Sequence, residues 1–260
     1  MNILTCPVCN QGLKLCKDNK LYRCESGHCF DLAKEGYVNL VIGSKSGEGR
    51  GDSKASARAR KDFLDTETFG LLKQAICEKM TGTVLDICCG EGYYDSYEGE
   101  LYGFDLSKEM VRLAAKRNKG ENYHYFVGNL SSIPVISGSV DTCIHLFAPF
   151  HDIEFGRVLK DTGRLYSVIP GKDHLFEIKE KVYDTPYKND EKAPEAETLK
   201  LLSRERVKEK RTLSGETVRT LFSMTPYYYR TSSEDKAKLL SVEEMEVTLD
   251  FVILEYGKNN

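Results

Sequence analysis

The stretch Thr83-Val84-Leu85-Asp86-Ile87-Cys88-Cys89-Gly90-Glu91-Gly92-Tyr93-Tyr94 decides the fold. Val84, Leu85 and Ile87 read as a short buried strand, which breaks at Gly90 and Gly92 into a loop. Asp86 stands just before the break. The next apolar run, Leu101-Tyr102-Gly103-Phe104, closes on a second acid, Asp105. A strand ending in a glycine loop, then a strand ending in a carboxylate, is how an open α/β sheet grips a nucleoside. Bare backbone approaches the ligand, and the carboxylate takes the ribose hydroxyls.

Outward from that point, strands are expected at 84–87, 101–104, 123–127, 141–147 and 164–169. Between them Ser107 caps a helix running to Arg117, and a short helix over 153–160 ends at Gly163. Upstream, Phe69, Leu72, Ile76 and Met80 fall at helical spacing, with Asp65 or Thr66 as the cap. Such alternation predicts a parallel, doubly wound sheet. Two late strands, 199–212 and 247–256, flank a helix around 215–222 and suggest one antiparallel strand. Residues 171–198, charged and carrying Pro186 and Pro194, read as an insertion over the strand ends, a lid. The basic run Lys200, Arg204, Arg206, Lys208, Lys210 and Arg211 reads as a solvated edge face.

With 260 residues the chain can bury a sizeable core and hold one α/β domain plus something small. A net charge of −3 gives no global attraction for a polyanion, so any such surface must be local. The first residues carry no basic then apolar leader pattern, and no apolar run suits a membrane span; a cytoplasmic protein with no membrane partner is expected. Four of the nine cysteines precede residue 25, which favours metal over disulfides. Cys6-Pro7-Val8-Cys9 and Cys24-Glu25-Ser26-Gly27-His28-Cys29 have the paired spacing of a tetrahedral zinc site, with His28 or Cys29 as the fourth ligand. Four protein ligands make such a zinc structural. Cys16 reads as a hairpin residue.

Three parts follow: a zinc-binding domain at 1–42, a basic flexible linker and helix at 43–64, and the α/β domain at 65–260 with its lid at 171–198. The glycine- and serine-rich stretch 43–53 marks the boundary. Six basic residues between 45 and 61 (Lys45, Arg50, Lys54, Arg58, Arg60, Lys61) suit a solvated face and a phosphate-contacting strip about equally.

The spacing Asp86-x-Cys88-x-Gly90-x-Gly92 is that of the S-adenosylmethionine loop with its first glycine replaced. On that reading Asp86 orders the loop and the ammonium group, and Gly90 and Gly92 face the methionine portion. Asp105 takes the ribose, and adenine lies near Gly128-Asn129-Leu130. Phe147-Ala148-Pro149-Phe150 presents the methyl acceptor, with Phe147 or Phe150 as an aromatic wall.

The zinc knuckle joined to Phe30-Asp31-x-Ala33-Lys34-Glu35-Gly36-Tyr37-Val38-Asn39-Leu40 resembles the amino end of the bacterial 23S ribosomal RNA guanine-N1 methyltransferases. So do Gly51-Asp52-Ser53, Ala59-Arg60-x-x-Phe63-Leu64, the 84–94 loop and Met224-Thr225-Pro226. The resemblance implies a Rossmann-like, seven-stranded class I methyltransferase sheet with a small N-terminal zinc-binding domain. It implies zinc at Cys6, Cys9, Cys24 and His28, and cofactor contacts at Phe69, Gly90, Glu91 and His174. Its implied activity is S-adenosylmethionine-dependent methylation of a guanine N1 in a hairpin loop of 23S ribosomal RNA, in which rRNA processing the knuckle and basic strip hold the RNA. No residue is assigned as the catalytic base, and a homodimer is among the assemblies admitted.

Two departures stand out: Cys88 replaces a glycine, and the segment between Tyr94 and Leu101 is too short for a full first helix. Two other classes stay open, a small-molecule methyltransferase and a catalytically inactive RNA-binding relative.

Overall fold

The computed structural model describes residues 2–16, 18, 20–43 and 54–259. The 44–53 stretch, including Lys45, Arg50 and the Gly51-Asp52-Ser53 string, lies outside the described residues. A small antiparallel ribbon comes first: β1 (Lys14–Cys16), β2 (Leu21–Arg23) and β3 (Cys29–Asp31). The remaining strands form one sheet: β4 (Tyr37–Asn39), β5 (Val84–Ile87), β6 (Leu101–Asp105), β7 (Tyr123–Val127), β8 (Val140–Leu146), β9 (Leu159–Pro170), β10 (Leu199–Ser214) and β11 (Glu244–Lys258). Their order is β10-β11-β9-β8-β5-β6-β7-β4. β5 through β11 are the seven expected strands, with β11 antiparallel to both neighbours. The sheet gains an eighth, β4, which the knuckle-linked Tyr37-Val38-Asn39 adds in parallel to the β7 edge.

The helices are α1 (Lys54–Leu64), α2 (Gly70–Cys77), α3 (Lys108–Arg117), α4 (Asp152–Val158), α5 (Phe176–Val182), α6 (Gly215–Ser223) and α7 (Ser233–Ala237). Ser107 caps α3 as expected, its Oγ accepting from the Met110 N–H at 3.4 Å. Other boundaries differ. Neither Asp65 nor Thr66 caps α2, whose N-cap is Phe69. Instead the Thr66 hydroxyl donates to the Phe63 carbonyl just past the end of α1, and Asp65 pairs with Lys61 and Arg117. The helix expected over 153–160 stops at Val158, because Leu159 already pairs with Val140 as strand; Gly163 therefore lies inside β9. The lid is helical only over α5. The connection from β5 to β6 contains no helix, in keeping with its short sequence.

Alternation along the strands builds two cores. Val84, Leu101, Tyr125 and Val127 face one, with Leu72, Ile76, Val111, Ala114, Ile178 and Leu221 from the helices. Leu85, Ile87, Tyr102, Phe104 and Phe126 face the other, where α4 supplies Phe155 and Val158. The rest of that second face is covered by the N-terminal segment through Ile3, Leu4, Leu13, Tyr22, Val38 and Leu40. Each large apolar side chain so buried stabilises by about 1.5–3 kcal/mol. Backbone hydrogen bonds fix the docking: Thr5 N–H to the Pro134 carbonyl, Ile136 N–H to Ile3, and Leu40 N–H to Val127, all 2.9–3.0 Å.

The basic run lies on the edge strand β10, as expected, but its last four residues are tied up in ion pairs. Arg206 bonds Asp250 and Glu191, Lys208 bonds Asp173, Lys210 bonds Glu246 and Arg211 bonds Glu209.

Because residues 2–42 complete one core and one sheet edge, deleting residues 1–42 is expected to abolish cooperative unfolding and promote aggregation. Circular dichroism melts and gel filtration check this; a soluble truncation melting like the full chain would contradict the shared core.

Candidate functional site

At the carboxyl ends of β5, β6, β8 and β9 lies a cleft of about 490 Å³. β5 delivers Asp86 to its floor, 1% exposed, with Oδ2 buried and without a hydrogen-bond partner. Burial, followed by the neighbouring Asp95 carboxylate, pushes the Asp86 pKa well above the usual carboxylate range. Gly90, at φ +56°, presents bare backbone: a Cβ built there meets nothing within 4 Å. Glu91 is 2% exposed and its Oε1 also lacks a hydrogen-bond partner. Burial raises its pKa, and the Arg117 guanidinium 3.9 Å away opposes that. Asp105, ending β6, accepts the Gly90 N–H at 3.2 Å and the Ser107 N–H at 2.7 Å. The loop and the start of α3 are thereby held by one carboxylate.

Cys88 adopts φ +60°, a left-handed conformation that a glycine takes without strain and a side chain does not. Its thiol lines the cleft, and burial pushes its pKa up to about 12, so it is neutral. In place of a helix after the loop, Asp95 folds inward and is fully buried. Tyr125 donates to it at 2.6 Å, and Asn118 on the far end of α3 donates to both Tyr125 Oη and the Gly92 carbonyl, each at 2.8 Å.

The opposite wall comes from the later elements. His145, buried in β8, bonds the Ser167 hydroxyl through Nδ1 at 3.0 Å and the Pro149 carbonyl through Nε2 at 3.2 Å. It thereby holds the turn that projects Phe147, 48% exposed and at φ +55°, beside the cleft. Burial lowers the His145 pKa to about 4. His174 packs between Phe251 and Phe69, ring centroids 4.6 and 6.3 Å away. Its Nδ1 accepts the Asp250 N–H at 3.2 Å, so Nε2 carries the hydrogen; burial lowers its pKa to about 3. From the lid, Lys179 is 1% exposed and places its ammonium 2.6 Å from Asn189 Oδ1 and over the rings of Tyr187 and Tyr227. Asn189 donates in turn to the Gly171 and His174 carbonyls, which fastens the lid to the cleft wall.

Of the expected cofactor residues, Phe69, Asp86, Gly90, Glu91, Asp105 and His174 come together around the cleft. Gly92, Asn129 and Leu130 are not among its lining. Gly92 is turned toward α3, where a Cβ would meet Asn118 Nδ2 at 2.8 Å. Asn129 bonds its own turn through the Ser131 N–H, and Leu130 packs against the second core. Phe147 stands at the wall, whereas Phe150 is packed against Phe155 and Tyr256, centroids 5.1 and 5.5 Å away. Sequence reasoning missed Asp95, Asn189 and Tyr227; the first was legible only as an acid in a shortened loop. Of the basic strip, Arg60 lines the cleft and Lys61 pairs with Asp65.

A second cluster lies in the N-terminal ribbon. The ligand atoms of Cys6, Cys9, Cys24 and His28 lie within 4.8 Å of one another. Cys6 and Cys24 Sγ stand 3.6 and 3.3 Å from His28 Nδ1, and Cys9 Sγ stands 3.7 Å from Cys24 Sγ. Tetrahedral zinc, with bonds of about 2.0–2.3 Å, needs edges of about 3.5–3.8 Å. The donor set fits. Cys29 points away, its thiol donating to the Gly27 carbonyl.

Residues 4–42 match the zinc-ribbon family model described as RlmA, N-terminal, and residues 84–167 match a methyltransferase domain. A Bacillus subtilis (strain 168) protein provisionally named 23S rRNA guanine-N1 methyltransferase is 26% identical over 97% of this chain and 96% of its own. The 23S rRNA (guanine(748)-N1)-methyltransferase of Streptomyces fradiae is 30% identical over 67% of this chain and 66% of its own. The chain belongs to the 23S rRNA guanine-N1 methyltransferase family. It is an S-adenosylmethionine-dependent methyltransferase with a structural zinc site. Its fold is shared with a structure described as a type II methyltransferase from Anaeromyxobacter dehalogenans, at TM-score 0.50 and 16% identity over 72% of this chain and 94% of that one.

The methyltransferase's cleft fits its cofactor. Asp86 Oδ2 and Glu91 Oε1 are buried acceptors without hydrogen donors, suited to the ammonium and hydroxyls of that ligand.

Two outcomes follow for this site. Cys88→Gly is expected to stabilise the enzyme by about 1 kcal/mol, read from denaturant unfolding, because it relieves left-handed strain. His145 has its folded pKa depressed below the unfolded value, so the unfolded state binds the extra proton between about pH 6.5 and 4. Its contribution is complete above that window and falls as pH drops through it, by about 3 kcal/mol at most. His145→Gln should flatten that part of the stability–pH curve; an unchanged slope would contradict the assignment.

Proposed function

We propose that this methyltransferase transfers the methyl group of S-adenosylmethionine to N1 of a guanine in a hairpin loop of 23S ribosomal RNA. The observation that carries the reading is the cleft floor, where buried acceptors on Asp86 and Glu91 lack donors beside the bare backbone of Gly90. The substrate class is that of the relatives named above, and this chain's own zinc ribbon accords with it. Asp86 and Glu91 would hold the cationic and hydroxylated parts of the cofactor, Asp105 the ribose, and Phe69 and His174 the apolar side. Gly92, Asn129 and Leu130 would act at one remove, through the loop and the turn after β7.

Bound S-adenosylmethionine supplies an already activated methyl, so the protein's task is alignment and exclusion of water. The target guanine must leave its stack, and Phe147 offers the exposed ring against which it can lie. His174 is unsuited to removing the N1 proton: its Nδ1 is engaged and its Nε2 already carries hydrogen. Its role is to pack and to donate. The zinc site at Cys6, Cys9, Cys24 and His28 shapes the ribbon and takes no part in the transfer, having no open position. A cytoplasmic setting accords with that substrate, and no described helix is long and apolar enough to cross a membrane. The cleft is lined by residues of a single chain.

Incubation with labelled cofactor and undermodified 23S ribosomal RNA, followed by mapping of the methyl group, tests the proposal. Label at a guanine N1 supports it, and RNA that stays unlabelled while a small metabolite is methylated would sink it. Asp105→Ala should weaken cofactor binding about tenfold or more, through lost charged hydrogen bonds, and leave zinc content unchanged. Calorimetry and metal analysis read both.

A further inference from the structure

Beyond the cleft's rim the chain makes a rigid aromatic turn. Pro226 and Tyr227 line the cleft, and a single 3₁₀ turn, Tyr228–Arg230, follows at once. The rings step outward from the core. Phe222, 2% exposed, meets Tyr227 and Tyr228 at 5.7 and 5.5 Å, and Tyr228 meets Tyr229 edge-on at 5.5 Å. The last ring is 77% exposed. It stands two residues from the cleft wall, at most about 7 Å along the chain. The turn is pinned from behind: Arg230 N–H bonds the Tyr227 carbonyl at 3.0 Å, the Thr231 hydroxyl bonds the same carbonyl at 2.8 Å, and Tyr183 Oη lies 2.6 Å from that hydroxyl. Apart from its edge contact with Tyr228, the Tyr229 ring faces water from a turn whose backbone is fixed.

The charges beside it differ from those along most of β10. The basic residues of β10 from Arg206 to Arg211 are neutralised by carboxylates. Arg230 has no carboxylate within ion-pair reach among the described residues. Lys236 has none either; its ammonium lies 4.1 Å over the Tyr228 ring, while its neighbour Lys238 takes Asp235. Two cations without carboxylate partners therefore stand beside this aromatic turn at the mouth of a cleft, in a chain whose net charge is −3. Stacking surface plus phosphate-seeking charge is the chemistry that holds single-stranded nucleic acid.

We propose that Tyr229 is a stacking platform for a nucleotide flanking the target guanine, with Arg230 and Lys236 holding the adjoining phosphates. The inference rests on the RNA reading above and adds where the strand runs: across Phe147 on one lip and Tyr229 on the other. It also separates two jobs, since this turn grips RNA without touching the cofactor.

The test uses the full chain and undermodified 23S ribosomal RNA as the probe, with RNA affinity read at several salt concentrations and cofactor affinity read by calorimetry. Tyr229→Ala should weaken RNA binding about 5- to 150-fold, and Tyr229→Phe should restore it, because the ring face is what binds. Arg230→Ala should weaken binding and reduce the salt slope by about one. Cofactor affinity should be unchanged in all three. RNA binding unaltered in both alanine variants, or lost together with cofactor binding in Tyr229→Ala, would overturn the platform. So would a Tyr229→Phe protein as weak as the alanine variant. If the wild-type chain methylates RNA, those failures fall on the platform alone; if it neither binds nor methylates RNA, the function proposed above fails and takes this inference with it.

Discussion

The cleft depends on a buried polar chain that takes the place of a missing helix. With no helix between β5 and β6, nothing regular holds the 88–94 loop against the sheet. Asp95, fully buried, accepts from Tyr125; Asn118 bridges Tyr125 and the Gly92 carbonyl. Each such bond is worth about 1 kcal/mol net when made, and leaving its buried partner unmade costs more. The chain ties the loop to both β7 and the end of α3. It also crowds acids under the cleft, Asp86 against Asp95. Burial of that pair raises both pKa values, with Tyr125 and Arg117 pulling Asp95 the other way. A floor of this kind suits a ligand that arrives with positive charge and its own hydrogen donors.

The second constraint is the helix-poor face of the sheet. Only α4 covers it among the crossover helices, and a bare apolar face of Leu85, Ile87, Tyr102, Phe104 and Phe126 would not survive in water. The zinc ribbon and β4 cover it. Metal, ribbon and sheet edge are therefore coupled to the stability of the domain that binds the cofactor. The ribbon is not merely tethered to the domain; it is part of the fold's second core. Structural zinc in this arrangement has two effects from one set of bonds, since Cys6 and Cys24 are at once ligands and members of that core.

Much was legible in the sequence. The pairs Cys6/Cys9 and Cys24/His28 are local, so spacing predicted that four ligands would meet but left His28 and Cys29 open; the resemblance implied His28, and the fold agrees by turning the Cys29 thiol toward a carbonyl. Strand periodicity placed β5 to β8 to within about one residue and found β9 except its first five residues, because buried strands carry their own apolar pattern. Boundaries failed where tertiary contacts overrode local signals: Asp65 was drawn away from capping by Arg117, and Leu159 was captured by Val140.

The sequence by itself determined seven strands of the sheet, the glycine loop, the two metal-binding pairs and the positions of Asp86 and Asp105, because each is set by short-range spacing. Tertiary structure decided that Gly92 faces α3, that Asn129 and Leu130 stand off the cleft, and that Phe147 rather than Phe150 forms its wall. It also decided that Asp95 lies under Asp86 and that Tyr37-Val38-Asn39 becomes a strand of the main sheet. Those outcomes turn on which side chains meet across distances of tens of residues, and no local pattern encodes that. The loop from Asp86 to Gly92 announces a nucleoside site. Its orphan acceptors, left-handed Cys88 and buried support are consequences of the folded whole.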